Sequence, residues 1–292
     1  MMSLSIASTR EVLRGSQASA WRAAIVLAIG LGLAACETVG GLSNPGVAEI
    51  DDPSAAPAQQ ANIASLSDVI RRNPNDPQAY NTRGVAFARS GRFTEAIADF
   101  SRALQINPNY AAAYTNRGLA HRQGGRAAEA LADFNRAVAA EPNYYPAYLA
   151  RGNLYRSQGN HGQAVADLGQ VIRLYPEGAE AFHGRGLAYQ SQGQHNLALS
   201  DFDAAIDRNP YVAPPYQARG QSLLVVGKVD QALEDFNAAL NVDNRNADSW
   251  ALRGVALNRQ GKKTDAAESF QRAIALDPNN RAAREGMRGG GF

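Results

Sequence analysis

The sequence predicts an all-α fold, a solenoid of stacked helix pairs. Three observations carry that reading. Residues 77–280 divide into six segments of 34 residues with no insertion or deletion: 77–110, 111–144, 145–178, 179–212, 213–246 and 247–280. Counted from each segment start, position 8 is always glycine (Gly84, Gly118, Gly152, Gly186, Gly220, Gly254), and so is position 15 (Gly91, Gly125, Gly159, Gly193, Gly227, Gly261). Apolar and small residues recur at helical spacing on both sides of the second glycine, at 4, 8 and 11 before it and at 20, 24, 27 and 28 after it. One such pair cannot bury its apolar face alone, so pairs must stack.

Taken in order, the chain opens with Arg10, Arg14 and Arg22, then thirteen apolar or glycine residues at 23–35, then Cys36. A charged stretch, an apolar run and small residues before a break predict a secretory signal over 1–35. The run falls short of the roughly 20 residues that span a bilayer. Leu33-Ala34-Ala35-Cys36 resembles the bacterial lipobox. That resemblance implies cleavage before Cys36, acylation of its thiol and new amine, and attachment to the membrane through lipid. Glu37, where aspartate would favour the inner membrane, implies the periplasmic face of the outer membrane. The competing reading is an ordinary signal peptide with a chance cysteine. Cys36 is the one cysteine in the chain, so no intrachain disulfide can form.

Residues 36–60 hold Gly40, Gly41, Pro45, Gly46, Pro53 and Pro57 and few large apolar side chains, the composition of a flexible tether. Ile63, Leu66, Val69 and Ile70 then recur at helical spacing before Pro74. Counted backwards, Leu66 falls at position 24, Val69 at 27 and Pro74 at 32. Residues 61–76 therefore read as the second half of a degenerate repeat that caps the array.

Within 77–280 each recurrent residue has a mechanical reason. Position 4 is aromatic throughout: Tyr80, Tyr114, Tyr148, Phe182, Tyr216 and Trp250. Position 24 is Phe100, Phe134, Leu168, Phe202, Phe236 and Phe270, and position 20 is always alanine. Small residues at 8 and 20 let two axes approach, and the rings fill the space between pairs. Glycine at 15 suits a helix C-terminus, and proline at 32 in five segments ends the second helix. Position 7 is arginine six times: Arg83, Arg117, Arg151, Arg185, Arg219 and Arg253. Position 23 is aspartate in five: Asp99, Asp133, Asp167, Asp201 and Asp235, with Ser269 in the sixth. A half-buried arginine needs a carboxylate. The expectation is an Arg–Asp ladder between the two helices of each pair; the competing reading is an arginine stripe for anionic ligands.

This pattern resembles the tetratricopeptide repeat family over 204 of the 292 residues. The resemblance implies a right-handed superhelix whose first helices line a concave groove with positions 2, 5, 9, 12 and 13. Arginine at position 7 departs from the family's usual leucine. On this register the groove candidates are Asn81, Arg89, Thr115, Arg122, Asn153, Arg156, His183, Gln217, Gln221 and Asn258. Amides, hydroxyls and a few arginines suit an extended peptide carrying some acidic residues; a solvated face without a dedicated ligand is the alternative. Similar lipid-anchored proteins imply a periplasmic scaffold for envelope proteins such as peptidoglycan hydrolases and proteases. An alternative is a structural subunit of a secretion, pilus or outer-membrane assembly machine.

Other classes find little support. A net charge of +2 gives no nucleic-acid footprint. No nucleophile elbow, phosphate loop or metalloprotease motif occurs, and no metal, cofactor or catalytic residue is expected. His161 and His195 share position 17 of successive repeats, too far apart for one ion. Residues 281–292 offer only a short cap with Arg284 in the aromatic position. That predicts a partly open face around Phe270 and Ile274, fit for a homodimer or a partner.

Overall fold

Glycine and proline punctuation produces the helix pattern. The computed structural model describes the backbone of residues 56–289 and the side chains of 62–289. Its helices are α1 (Ala56–Arg72), α2 (Pro77–Arg89), α3 (Phe93–Ile106), α4 (Ala111–Gln123), α5 (Ala127–Ala140), α6 (Tyr145–Ser157) and α7 (His161–Leu174). They continue as α8 (Ala179–Ser191), α9 (His195–Arg208), α10 (Ala213–Val225), α11 (Val229–Val242), α12 (Ala247–Arg259), α13 (Lys263–Leu276) and α14 (Arg281–Gly289). The described chain is an all-α right-handed superhelical solenoid of six helix pairs, α2–α3 to α12–α13.

The turn inside each pair is the same object six times. Its position-15 glycine holds φ between +72° and +81°, a left-handed conformation open to glycine at little cost. In the first pair Gly91 N–H donates to Ala88 O (3.0 Å) and Arg92 N–H to Phe87 O (2.9 Å), closing α2 as a Schellman motif. Between pairs, an Asn or Asp side chain at position 31 often accepts from the backbone two residues on, as Asn107 does from Asn109 N (3.1 Å).

The largest fully buried side chains of the core are those at position 24. Phe100, Phe134, Leu168, Phe202, Phe236 and Phe270 are fully buried. Each faces the position-8 glycine of its own pair. A Cβ on Gly118 would stand 2.6 Å from Phe134 Cε1, whereas on Gly152 it would stand 3.0 Å from Leu168 Cγ. Glycine is required there because a ring lies flat against the helix backbone.

Two boundaries differ from the sequence expectation. Helix α1 starts at Ala56, inside the stretch assigned to a tether reaching residue 60. Ala56, Ala58, Gln59, Gln60 and Ala61 are good helix formers, and Pro57 fits a first turn. The C-terminal face is also not open as expected. Helix α14 packs on α12 and α13, Phe270 is fully buried, and Gly286 sits so close to its ring that a Cβ could not fit. A glycine laid on the ring substitutes for the missing position-4 aromatic. Cys36, the signal and most of the tether lie outside the described residues.

Candidate interaction site

The position-7 arginines come first, because their state decides whether they bind ligands. Arg83 donates from Nε to Asp99 Oδ2 (2.7 Å) and from Nη2 to Asp99 Oδ1 (2.8 Å). The same two-pronged bond joins Arg117 to Asp133, Arg151 to Asp167, Arg185 to Asp201 and Arg219 to Asp235, at 2.6–2.9 Å. The aspartate side chains are sealed to between 6 and 9 % exposure. Their hydrogen bonds push the five guanidiniums above the ordinary arginine value, against the opposing effect of burial. Each arginine also lies 5.5–5.9 Å from the ring centre of its own position-4 aromatic. These cations are consumed inside the fold.

The arginine does a second job that the sequence reading missed. Its remaining nitrogen reaches position 25 of the preceding repeat. Arg83 Nη1 donates to Ser67 Oγ (3.0 Å), Arg117 to Ser101 Oγ (3.0 Å), Arg151 to Asn135 Oδ1 (2.8 Å) and Arg219 to Asp203 Oδ1 (2.7 Å). In the last repeat Arg253 turns Nε to Asn237 Oδ1 (2.8 Å) and Nη1 to Ser269 Oγ (2.6 Å). One guanidinium thus joins three helices across two repeats. The available signal was the run of short polar residues at position 25: Ser67, Ser101, Asn135, Asp203 and Asn237, broken by Gly169.

The groove candidates divide. Asn81 and Thr115 are not open wall residues. Thr115 is fully buried and its hydroxyl donates to Ala111 O (3.0 Å); Asn81 is buried and its Oδ1 accepts from Asn116 Nδ2 (3.0 Å). These two position-5 side chains are sealed and bonded within the array, Thr115 to its own helix and Asn81 to the next first helix, rather than presented as a contact surface. Gln217 is half-buried and tied likewise, its Oε1 accepting from Ser249 Oγ (2.9 Å). Asn153, His183 and Gln221 are half-buried, and Arg89 and Asn258 are exposed. The His183 ring centre lies 6.0 Å from that of Phe202.

Further ties close the wall in repeats four to six. Gln190 Nε2 donates to Ala218 O and Ser222 Oγ (both 3.0 Å), Arg259 Nη1 to Leu224 O (2.7 Å), and Asn280 Nδ2 to Asp248 Oδ1 (2.6 Å). His195 Nδ1 lies 3.3 Å from Ser222 Oγ. Repeats two and three differ. Arg122 and Arg156, both at position 12, are half-buried neighbours. Burial, and then the charge of Arg156, hold Arg122 below the ordinary guanidinium value, with no carboxylate to offset them. Tyr144, at the opposite edge of the wall, is pushed up to about 12, by burial first and then by Glu141 and Tyr110. Arg122 and Arg156 thus place two cations side by side on this part of the wall. Among the described residues no three of His, Cys, Asp and Glu converge as metal ligands would.

Stacked helical hairpins whose second helices form the core and whose first helices form a wall define a class of non-globular interaction proteins. Family models described as tetratricopeptide repeat match residues 107–145 and 218–281, and 179–211; one described as TPR repeat matches 86–124 and 152–193. The chain belongs to the tetratricopeptide repeat family, whose members are generally non-catalytic scaffolds. No curated protein matches the chain.

Solved structures share the fold at low identity. The APC/C hetero-tetramer Cut9–Hcn1 matches at 16 % identity and a TM-score of 0.67, over 80 % of this chain but only 46 % of the other, so the chain spans about half that relative. Pseudomonas aeruginosa pilF matches at 18 % and 0.67, over 73 % of this chain and 96 % of that one. YrrB, described as a TPR protein with an unusual peptide-binding site, matches at 24 % and 0.56, over 65 % and 97 %.

Proposed function

We propose that this protein is a lipid-anchored scaffold of the bacterial envelope that holds an extended, acidic peptide segment of a partner on repeats one to three. The observation that carries the reading is Arg122. It is a half-buried cation beside a second cation, Arg156, on the wall of a repeat array. Leaving such a charge without a counter-ion is unfavourable, and a carboxylate from a ligand relieves it. The position-7 arginines are already engaged, and much of the wall in repeats four to six is bonded to itself. YrrB's description shows that a fold of this kind can hold a peptide.

The anchor rests on Cys36 within Leu33-Ala34-Ala35-Cys36, and the periplasmic outer-membrane position on Glu37. Among the described residues no helix is long and apolar enough to cross a membrane. Partners of the proposed kind are peptidoglycan hydrolases, proteases or subunits of an assembly machine. The protein itself performs no catalysis in this reading.

The test is Arg122→Gln with Arg156→Gln, titrated with a fluorescein-labelled (Glu-Gly)5 peptide by anisotropy. Affinity should fall at least tenfold in about 0.05 M salt while the melting temperature holds. Unchanged affinity would remove the groove reading. Cys36→Ala should abolish incorporation of labelled palmitate and release the protein from the envelope; retention of both would remove the anchor.

A further inference from the structure

We infer that the partner's segment is read at two points: a carboxylate at Arg122 and, about six residues along, a proline seated on Tyr144. The inference rests on the proposed role of Arg122 and adds the chemistry of the segment's other end.

Placement is the first argument. Tyr110 and Tyr144 occupy position 34, directly before the first helices α4 and α6. At the same place Asp76, Asn246 and Asn280 accept a backbone N–H of the helix they precede, at 2.8–3.0 Å. Gly178 and Val212 stand there before α8 and α10. The turn therefore needs no ring, and a short oxygen-bearing side chain caps the helix better. Neither tyrosine makes a side-chain cap bond. Tyr110 is hydrogen-bonded to Asn81. Among the described residues nothing hydrogen-bonds the Tyr144 hydroxyl.

Chemistry is the second. Burial keeps the Tyr144 phenol protonated at neutral pH, so it presents a donor on a half-buried ring. Beside it Tyr145 stacks on the exposed Tyr175, ring centres 4.7 Å apart. Aromatic-lined surfaces take polyproline II segments, which are ordered in advance and leave their carbonyls free to accept. The charge of Glu141 also acts on Tyr144. An acidic residue of the ligand is repelled at this edge, and an uncharged proline is not. The carboxylate belongs at the other end, where no described carboxylate pairs with Arg122. Arg156 has a partner of its own, so this point rests on Arg122 alone.

Spacing is the third. Helices α4 and α6 lie side by side. From Tyr110 to Arg122 the first helix rises roughly 18 Å, and Tyr144 stands one axis over, about 8–10 Å away. Arg122 and Tyr144 are thus roughly 20 Å apart, the span of about six extended residues.

The experiment uses the full chain and two fluorescein-labelled peptides, followed by anisotropy. One is Gly-Glu-Glu-Gly-Ser-Gly-Ser-Gly-Pro-Pro-Gly; in the other Gly-Gly replaces Pro-Pro. Wild type should bind the proline peptide at least fivefold more tightly. Tyr144→Leu, which keeps an apolar side chain in place, should erase that advantage and leave the glycine peptide unchanged, a result that also reports an intact fold. Arg122→Gln should weaken both peptides and preserve their ratio. Cutting the spacer between Glu and Pro to one glycine should erase the advantage as well. Equal affinity of the two peptides for wild type, or an advantage that survives Tyr144→Leu, would overturn the second point and leave the acidic reading intact. Binding of neither peptide would overturn both readings together.

Discussion

The Arg117–Asp133 pair offers the sharpest test of the ladder. Asp133→Asn removes the charge and leaves one acceptor for two donors. The structure sets the scale: two charge-assisted bonds of 2.7–2.8 Å, an aspartate side chain 6 % exposed and an arginine 19 % exposed. Breaking a buried pair from one side costs about 3–5 kcal/mol. Arg117 keeps some water and a bond to Ser101, so the expected loss is about 2–3 kcal/mol. Arg117→Met strands the more deeply buried carboxylate and should cost about as much. The double variant Arg117→Met with Asp133→Leu leaves no stranded charge and should cost no more than about 1–2 kcal/mol, a coupling of roughly 3 kcal/mol. Urea unfolding followed at 222 nm measures all three. Additive losses, or single variants within about 0.5 kcal/mol of wild type, would refute the structural role and return these arginines to the ligand stripe.

Two further outcomes follow from the same geometry. Gly118→Ala should destabilise by about 1–2 kcal/mol, because overpacking against Phe134 outweighs the helix-propensity gain of about 1 kcal/mol. Gly152→Ala, facing Leu168, should stay within about 0.5 kcal/mol of wild type, and Phe134→Leu should partly rescue Gly118→Ala; thermal melts report both. Burial holds His121 and His195 below the ordinary imidazole value. Depressed folded-state values mean that their contribution is complete above about pH 6.5 and is lost as pH falls through the folded values. Unfolding free energy measured from pH 7.5 to 5 should decline, and His121→Leu with His195→Gln should flatten that decline.

The repeat frame was legible because chemistry recurred at fixed intervals. Arginine and aspartate sixteen residues apart, five times over, left little choice but a pair between the two helices. Position 25 was not legible as a partner, since serine, asparagine, aspartate and glycine share shortness rather than an identity. The groove assignment of Thr115 and Asn81 failed for a geometric reason: both are buried, so the Thr115 hydroxyl turns back to Ala111 O of its own helix and the Asn81 amide is taken up by Asn116 of the next first helix. The C-terminal cap was misread because the sequence lacked an aromatic at Arg284, while Gly286 does the covering two residues later. What singles out Arg122 lies in three dimensions, in the neighbouring cation and the missing carboxylate, and no spacing rule displays it.

Gly169 leaves Arg185 as the one clamp arginine without a reach-back acceptor, between repeats three and four. A tie at this junction is instead made by Arg208, whose Nε donates to Pro176 O (2.6 Å) at the loop end of the helices. The junction between repeats three and four is thus held from the loop end, by a side chain gripping a backbone carbonyl, where its neighbours are held by a guanidinium shared among three helices.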